Sequence, residues 1–291
     1  MKIYELKSLA DFTQHWARME TLTAERTALA DSLCSPFRSN RAPFAVSAFS
    51  YPAGKVVDLA VDWNYSNGTN PNWRERLLCP VTGLNTRLRA TIHLVDSQLG
   101  LYPDSAIYVT EQVTPLFNNL LHRFPSLVGS EYISAETPRG SIDVRGIRHE
   151  DLTQLSFPSA SFEAVMSFEC FEHIPDFSAA LRESRRILKP GGRLLFTVPF
   201  VPNAHTHIIR ARLTPAGKVE HLLEPEYHGD PMQSEGCLCF THFGWQLIDD
   251  LNALGFEDAK AIALWSREFG YLGNELLFFS ARVPTVARGQ A

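Results

Sequence analysis

Residues 151–200, DLTQLSFPSASFEAVMSFECFEHIPDFSAALRESRRILKPGGRLLFTVPF, constrain the fold more than any other stretch of the chain. Phe162-Glu163-Ala164-Val165-Met166-Ser167 is a short apolar run of the kind that forms a strand covered on both faces. Phe177, Ala180, Leu181, Ser184, Ile187 and Leu188 then recur at helical spacing. Asp176 supplies an N-cap, and Lys189-Pro190-Gly191-Gly192 stops the helix with a cation, a breaker and two flexible residues. Arg193-Leu194-Leu195-Phe196-Thr197-Val198 is a second apolar run, closed by Pro199. Strand, crossover helix, strand is a βαβ unit, which implies an α/β fold built on a parallel sheet with right-handed connections.

At 291 residues the chain is long enough for one full α/β domain and an accessory region. A hydrophobic share of 45% and a charged share of 20% are those of an ordinary globular protein. The net charge of −5 gives no electrostatic footprint for nucleic acid or for an anionic membrane, so neither is expected as a partner. The opening residues lack the apolar core of a signal peptide, and no run approaches the ~18 apolar residues that span a bilayer. The five cysteines form no dense framework, which fits reduced thiols and a cytoplasmic location. Cys34-Ser35-Pro36-Phe37 and Cys79-Pro80-Val81-Thr82 each resemble a C-x-x-C knuckle lacking its second cysteine. A structural zinc needs four nitrogen or sulfur ligands, so two buried thiols are the simpler reading; a disulfide requires their backbones to meet.

Taken in order, residues 1–103 read as an accessory region. Residues 9–33 have helical periodicity, and 34–75 are irregular with apolar runs at 45–49 and 56–61 that fit a small sheet. Residues 85–99 form an amphipathic helix with Leu88, Ile92, Val95 and Leu99 inward. Arg87 and Arg89 on it are either a clamp for a carboxylate or phosphate, or ordinary solvated arginines. The main domain occupies 104–291. Its expected first strand is 106–110, followed by a helix capped by Thr114 with Pro115 at its first position and Leu116, Phe117, Leu120, Leu121 and Phe124 buried. A second strand over 126–133 ends in an acid, and a third is expected at 141–144. Residues 201–240 are polar and rich in histidine, an expected lid leaving the carboxyl end of a central strand. A helix at 241–254, strands at 259–266 and 275–281, and a frayed tail at 284–291 complete the chain.

The order D-L-x-x-L-x-F-x-x-x-S-F-E-x-V-x-S-x-x-x-x-E-H-I-P-D, then E-S-x-R-I-L-K-P-G-G-R-L-x-x-T-V-P, resembles the class I S-adenosylmethionine-dependent methyltransferases of the small-molecule type. The resemblance implies a Rossmann-like three-layer αβα sandwich whose seven-stranded, mostly parallel sheet has the order 3-2-1-4-5-7-6. It implies S-adenosylmethionine as cofactor, with Glu131 accepting the ribose hydroxyls beside Tyr132, and Asp151 receiving the adenine amino group beside Leu152. Phe168 and Glu169, after the fourth strand, would complete that site. Family members carry a glycine-rich turn after the first strand. Here Thr110-Glu111-Gln112-Val113-Thr114 stands in its place. Either Glu111 takes the cofactor's ammonium and Thr110 or Gln112 its carboxylate, or the site has lost its cofactor.

Methyl transfer from a sulfonium needs alignment and exclusion of water more than covalent help, but a hydroxyl or amine acceptor also needs a base. His173 is the first candidate, against a purely structural role for it. His228 is the second, with Asp230 to orient it. Tyr227, Asp230 and His205 are candidates for contact with a small polar substrate, such as a sugar or sugar-linked intermediate, unless residues 227–230 are only a turn. No H-x-x-x-H pair or comparable spacing occurs, so no metal is expected. A non-catalytic scaffold is the alternative to an enzyme. A nicotinamide oxidoreductase is disfavoured because no G-x-G-x-x-G follows an expected strand.

Overall fold

The computed structural model describes residues 1–232 and 234–285. The chain divides into two compact units, one of Met1–Leu6, Ala10–Leu101 and Ile262–Leu277, the other of Lys7–Leu9, Tyr102–Ala261 and Phe278–Ala291. The expected tail lies outside the described residues from 286 onward.

In the first unit, strand β1 (Lys2–Leu6) precedes helices α1 (Leu9–Arg18) and α2 (Glu20–Cys34). The single helix expected over 9–33 is therefore broken. The Met19 N–H divides its bond between the carbonyls of His15 and Trp16 at 3.0 and 3.1 Å, a tightened turn that ends the first helix. Strands β2 (Phe44–Ser50) and β3 (Lys55–Val61) form the expected small sheet, an antiparallel hairpin in register from Phe44 opposite Val61 to Ser50 opposite Lys55. Gly54 closes its turn at φ +65°, a left-handed conformation that glycine adopts without strain. Cys34 and Cys79 are free thiols packed in one core with Leu59, Val61, Trp73 and Leu77.

Helix α3 (Thr86–Gln98) is capped by Asn85, whose side chain accepts the Leu88 N–H. It corrects both expectations for its arginines. Arg87 pairs with Glu75 at 3.0 Å. Arg89 is wholly buried and donates to the Phe269 and Gly270 carbonyls at 2.6 and 3.1 Å, with its guanidinium over the Tyr271 ring. Burial pulls its pKa down to about 10.

In the second unit, β4 (Ile107–Val109), α4 (Pro115–Arg123), β5 (Val128–Gly129), β6 (Phe162–Phe168), α5 (Phe177–Ile187) and β7 (Leu188–Thr197) follow one another. Strand β4 lies parallel between β5 and β6, and β6 is parallel to β7, so their carboxyl ends open on one edge. Thr114 caps α4 through the Phe117 N–H, and Asp176 caps α5 through the Ala179 N–H. Leu116, Phe117, Leu120 and Phe124 are buried as expected, whereas Leu121 is exposed.

Past β7 the described residues make three short antiparallel ladders. Strand β8 (Ile208–Ile209) pairs with β13 (Thr241–His242), β9 (Ala211–Leu213) with β10 (Val219–His221), and β11 (Tyr227–His228) with β12 (Cys237–Leu238). Helix α6 (Gln246–Ala253) and the long strands β14 (Glu257–Ser266) and β15 (Tyr271–Arg282) close the fold.

The result is an α/β fold of Rossmann-like type around a mixed seven-stranded sheet, ordered β1-β14-β15-β7-β6-β4-β5, with β15 antiparallel to β7. The order differs in detail from the one expected. Residues 141–144 are not a strand: the Asp143 carboxylate accepts the Arg145 and Ile147 amides at 2.8 and 3.0 Å, folding the segment into a tight turn with Val144 fully exposed. The second strand shrinks to two residues, and the seventh place in the sheet is filled by β1. No helix among the described residues is long and apolar enough to cross a membrane.

Arg89 yields a direct test. Arg89→Met keeps much of the volume but strands two buried carbonyls, each costing about 1–3 kcal/mol. Urea denaturation is expected to show a loss of about 2–6 kcal/mol by that measure, and an unshifted midpoint would show that the two carbonyls do not depend on the guanidinium.

Candidate functional site

The carboxyl ends of β4, β5 and β6 bring together most of the residues singled out in the sequence. After β4 the chain enters the loop 110–114. Thr110 donates its N–H to the Met166 carbonyl at 3.0 Å and its hydroxyl to Ser167 at 3.0 Å, which ties the loop to the end of β6. Glu131 lies just beyond β5, and its Oε1 accepts the Gln112 and Val113 amides at 2.7 and 3.0 Å. Both amides use one oxygen; Oε2 has no hydrogen-bond partner among the described residues. Burial raises the Glu131 pKa against the lowering effect of those two amides. The Gln112 side chain bridges to the Gly146 carbonyl and the Arg148 amide, at 2.8 Å each, and the Thr114 hydroxyl donates to the Glu111 carboxylate.

The loop needs a close approach that the sequence places elsewhere. At Gly129, inside β5, an added Cβ would lie 2.5 Å from the Glu111 carbonyl oxygen and 2.5 Å from the Phe117 ring. The glycine absent from the turn is thus required in the adjacent strand, where backbone packs on backbone.

On the far side of Glu131, a cavity of about 620 Å³ is lined by Tyr132, Ser134, Arg139, His149, Asp151 and Gln154 among others. Tyr132 is half exposed at its rim, and His149 is buried and accepts the Ile133 N–H at Nδ1, 3.0 Å away. Asp151 accepts both the amide and the hydroxyl of Thr153 at Oδ1, 2.8 and 2.7 Å, and Leu152 follows it, partly buried.

Strand β6 ends at the buried Phe168, and Glu169 turns the chain with φ +54°, a left-handed conformation rare for a side-chain-bearing residue and often found where strain serves a site. The turn delivers a 3₁₀ segment, Phe171–His173. Glu172 is 0% exposed, and neither of its carboxylate oxygens has a hydrogen-bond partner among the described residues. A buried carboxylate costs several kcal/mol unless its charge is offset. Two imidazoles face it: His173 Nε2 and His228 Nδ1 each lie 3.6 Å from Glu172 Oε1, an ion-pair separation rather than a hydrogen bond. The two rings meet edge to face with centroids 5.0 Å apart.

The other nitrogen of each ring is engaged. His173 Nδ1 lies 2.8 Å from the Leu238 carbonyl, which can only accept, so that nitrogen carries the proton. His228 Nε2 lies 2.9 Å from Glu226 Oε1, which also takes His242 Nε2 at 3.1 Å, while Glu226 Oε2 pairs with Arg210 at 3.2 Å. Burial raises the Glu172 pKa, partly opposed by His228. His228 rises to about 9, first through the Glu172 carboxylate and then through Glu226, against its own burial. Burial lowers the His173 pKa. Cys170, Cys237 and Cys239 are pushed up to about 12, first by burial, so no thiolate is available here near neutral pH.

Of the expected substrate residues, Tyr227 is exposed opposite Leu238 in the β11–β12 ladder, and Asp230 accepts the Met232 amide at 2.7 Å and the Cys237 thiol at 3.1 Å. His205 stands apart, exposed and 3.5 Å from Asp249. Sequence reasoning named Glu172 only as the neighbour of His173 in the E-H-I-P motif, and missed Glu226, His242 and Arg210 as members of the cluster. Glu226 had a signal, since residues two apart on an extended segment point the same way as His228. Arg210 and His242 had none, because only the pairing of β8 with β13 brings their segments together.

A family model described as a methyltransferase domain matches residues 125–196. Among curated proteins, the 27-O-demethylrifamycin SV methyltransferase of Amycolatopsis mediterranei is 28% identical over 119 residues, 37% of this chain and 44% of that protein. The ubiquinone biosynthesis O-methyltransferase of Xanthomonas oryzae pv. oryzae is 33% identical over 124 residues, 40% and 49% of the two chains. The chain thus spans less than half the length of these curated relatives. Among solved structures, the 1,6-didemethyltoxoflavin-N1-methyltransferase of Burkholderia thailandensis aligns over 68% of this chain and 78% of its own, with a TM-score of 0.38 and 15% identity.

Gly129→Ala tests the packing beneath the loop. The intruding methyl group displaces either the Glu111 carbonyl or the Phe117 ring, and overpacking of this kind costs about 1–3 kcal/mol. The expected result is an earlier urea midpoint with an unchanged m-value. A variant as stable as the parent would mean that the loop is not held against β5.

Proposed function

We propose that this chain, whose residues 125–196 belong to the class I S-adenosylmethionine-dependent methyltransferase family, transfers a methyl group from S-adenosylmethionine to a hydroxyl or amine of a small polar acceptor. The observation that carries the reading is convergence: the 110–114 loop, Glu131 and the Glu169–His173 turn meet at the carboxyl ends of three adjacent parallel strands, where open α/β sheets bind their ligands.

The residues present fit the cofactor. Glu131 keeps one carboxylate oxygen for a ribose hydroxyl while the other holds the loop. Asp151 and Tyr132 line a cavity of about 620 Å³, ample for an adenine ring, and Leu152 follows Asp151 in the chain. At the methionine end Thr110 and Glu111 offer polar groups, the Thr110 hydroxyl bonded to Ser167 and the Glu111 carboxylate to the Thr114 hydroxyl, while the Gln112 amide braces the loop from behind. Phe168 and Glu169 close the site from the end of β6. S-adenosylmethionine supplies an activated methyl group, so the protein's part is to align the acceptor and keep water out.

His173 is the base in this reading. Its Nδ1–H is fixed on the Leu238 carbonyl, its pKa is lowered by burial, and its Nε2 lone pair faces the cluster. His228, raised to about 9, is the charged partner of Glu172. Tyr227 and Asp230, on the polar segment nearby, are the substrate contacts, and a hydroxylated molecule such as a sugar or sugar-linked intermediate suits their chemistry. His205 would contribute only to a larger acceptor. The Xanthomonas relative is by name an O-methyltransferase, which favours oxygen as the atom methylated.

Glu131→Gln separates the two roles of that side chain, because its carbonyl oxygen can still accept the loop amides whereas its NH₂ cannot accept a ribose hydroxyl. Calorimetric titration with S-adenosylhomocysteine is expected to show binding weakened by about 1.5–3 kcal/mol, the scale of a hydrogen bond to a charged group. Equal affinity in variant and parent would remove Glu131 from the cofactor site. No binding to the folded parent would overturn the reading as a whole.

A further inference from the structure

We propose that Glu172, His173 and His228 form a site for one divalent first-row transition-metal ion of the manganese, cobalt or zinc kind; a bound ion takes the His173 Nε2 lone pair, so His173 is a ligand in the ion-bound form and a base only in the ion-free form. One ligand atom from each of the three lies within 4.8 Å of the other two. The two carboxylate–imidazole separations are 3.6 Å. With metal–ligand bonds of about 2.0–2.2 Å, the edge of a tetrahedral site is about 3.4 Å. The two carboxylate–imidazole edges therefore need to close by only a few tenths of an ångström, and the edge between the two imidazole nitrogens, no longer than 4.8 Å, closes by rotation of the rings.

The independent observation is the Glu172 carboxylate itself, 0% exposed and without a hydrogen-bond partner for either oxygen among the described residues. Buried carboxylates are ordinarily paired, hydrogen-bonded or bound to an ion, and this one is aimed at two imidazole nitrogens. Both rings are held as metal-ligating histidines are held. The outer nitrogen of His173 rests on the Leu238 carbonyl at 2.8 Å, and that of His228 on the Glu226 carboxylate at 2.9 Å, each leaving the inner nitrogen directed at Glu172. The Glu172 backbone carbonyl accepts the Phe240 amide at 2.7 Å, which locks the segment bearing His173 to the one that follows β12.

A second group, Glu226, Cys239 and His242, is also compact, but it lacks the same features. Glu226 already answers Arg210, His228 and His242, and the Cys239 thiol is directed at the Thr241 carbonyl. It serves as the outer support of the first group. Two nitrogens and a carboxylate select borderline transition ions over calcium or magnesium, which prefer all-oxygen sites. Three protein ligands leave a coordination position open, as in catalytic rather than structural metal sites.

The test uses the full chain, stripped with a chelator and titrated calorimetrically with manganese, cobalt and zinc chlorides. The parent is expected to bind one ion per chain with micromolar affinity or better, and the cobalt form to show a visible d–d spectrum without a thiolate charge-transfer band. Glu172→Gln keeps the side-chain shape and removes the buried charge, so it should fold while losing metal binding. Glu226→Gln should weaken binding by about 10–100-fold, the usual effect of losing an outer-shell partner, and Cys239→Ser should leave it unchanged. His228→Gln provides a second loss of a ligand should Glu172→Gln misfold. Millimolar or absent binding by the parent, or parent-like binding by either Glu172→Gln or His228→Gln, would overturn the proposal, as would a thiolate band. The readout is the ion alone, so its failure leaves the methyl-transfer reading standing, and failure to bind cofactor leaves the ion site standing.

Discussion

A carboxylate wholly withdrawn from water sets the terms for the site. Glu172 leaves β6 through a left-handed residue and a single 3₁₀ turn, too short a path to return it to solvent. Its charge can be offset only by what other segments bring to it, and the residues between β8 and β13 are arranged accordingly. The β11–β12 ladder holds His228 against it, and the Leu238 carbonyl orients His173 beside it. Arg210 and His242 steady Glu226 behind His228. The histidine-rich stretch is thus less a loose cover than a shell built around one acid.

The second constraint is the approach of the 110–114 loop to β5. Gly129 admits the Glu111 carbonyl, and Glu131 grips two loop amides. The loop is therefore shaped by hydrogen bonds and by one glycine in the neighbouring strand rather than by glycines of its own. A turn stabilised in this way tolerates side chains at 110–114 that a glycine-rich turn would exclude.

The sequence was informative wherever structure is local. The βαβ unit over 162–197, the Thr114 and Asp176 caps, the β2–β3 hairpin and the buried thiols at 34 and 79 follow from short-range patterns of apolar residues, polar caps and breakers. It misled where a local pattern competed with side-chain chemistry. Residues 141–144 alternate as a strand should, yet the Asp143 carboxylate captures two following amides and makes a turn. Arg89 was misjudged because charge argues for solvent, whereas two backbone carbonyls and an aromatic face can retain a guanidinium inside. The placement of β1 at the sheet edge, and of Arg210 and His242 behind the site, depends on pairings between distant segments, to which no local pattern points.

The same non-locality bears on how the site responds to change. Glu172, His173, His228 and Glu226 share contacts in series, each fixing the tautomer, charge or orientation of the next. Residues linked in this way do not contribute independently, and energies of single substitutions within the set are not additive. Truncating Glu226 would release His228 to rotate, and the Glu172 carboxylate would then be faced by one imidazole instead of two. Truncating Glu172 would remove the reason for holding either ring in place. The second loss should therefore mask the first, and a double-mutant cycle between Glu172 and Glu226 reports whether the shell acts on the acid through His228 or stabilises the segment for its own sake.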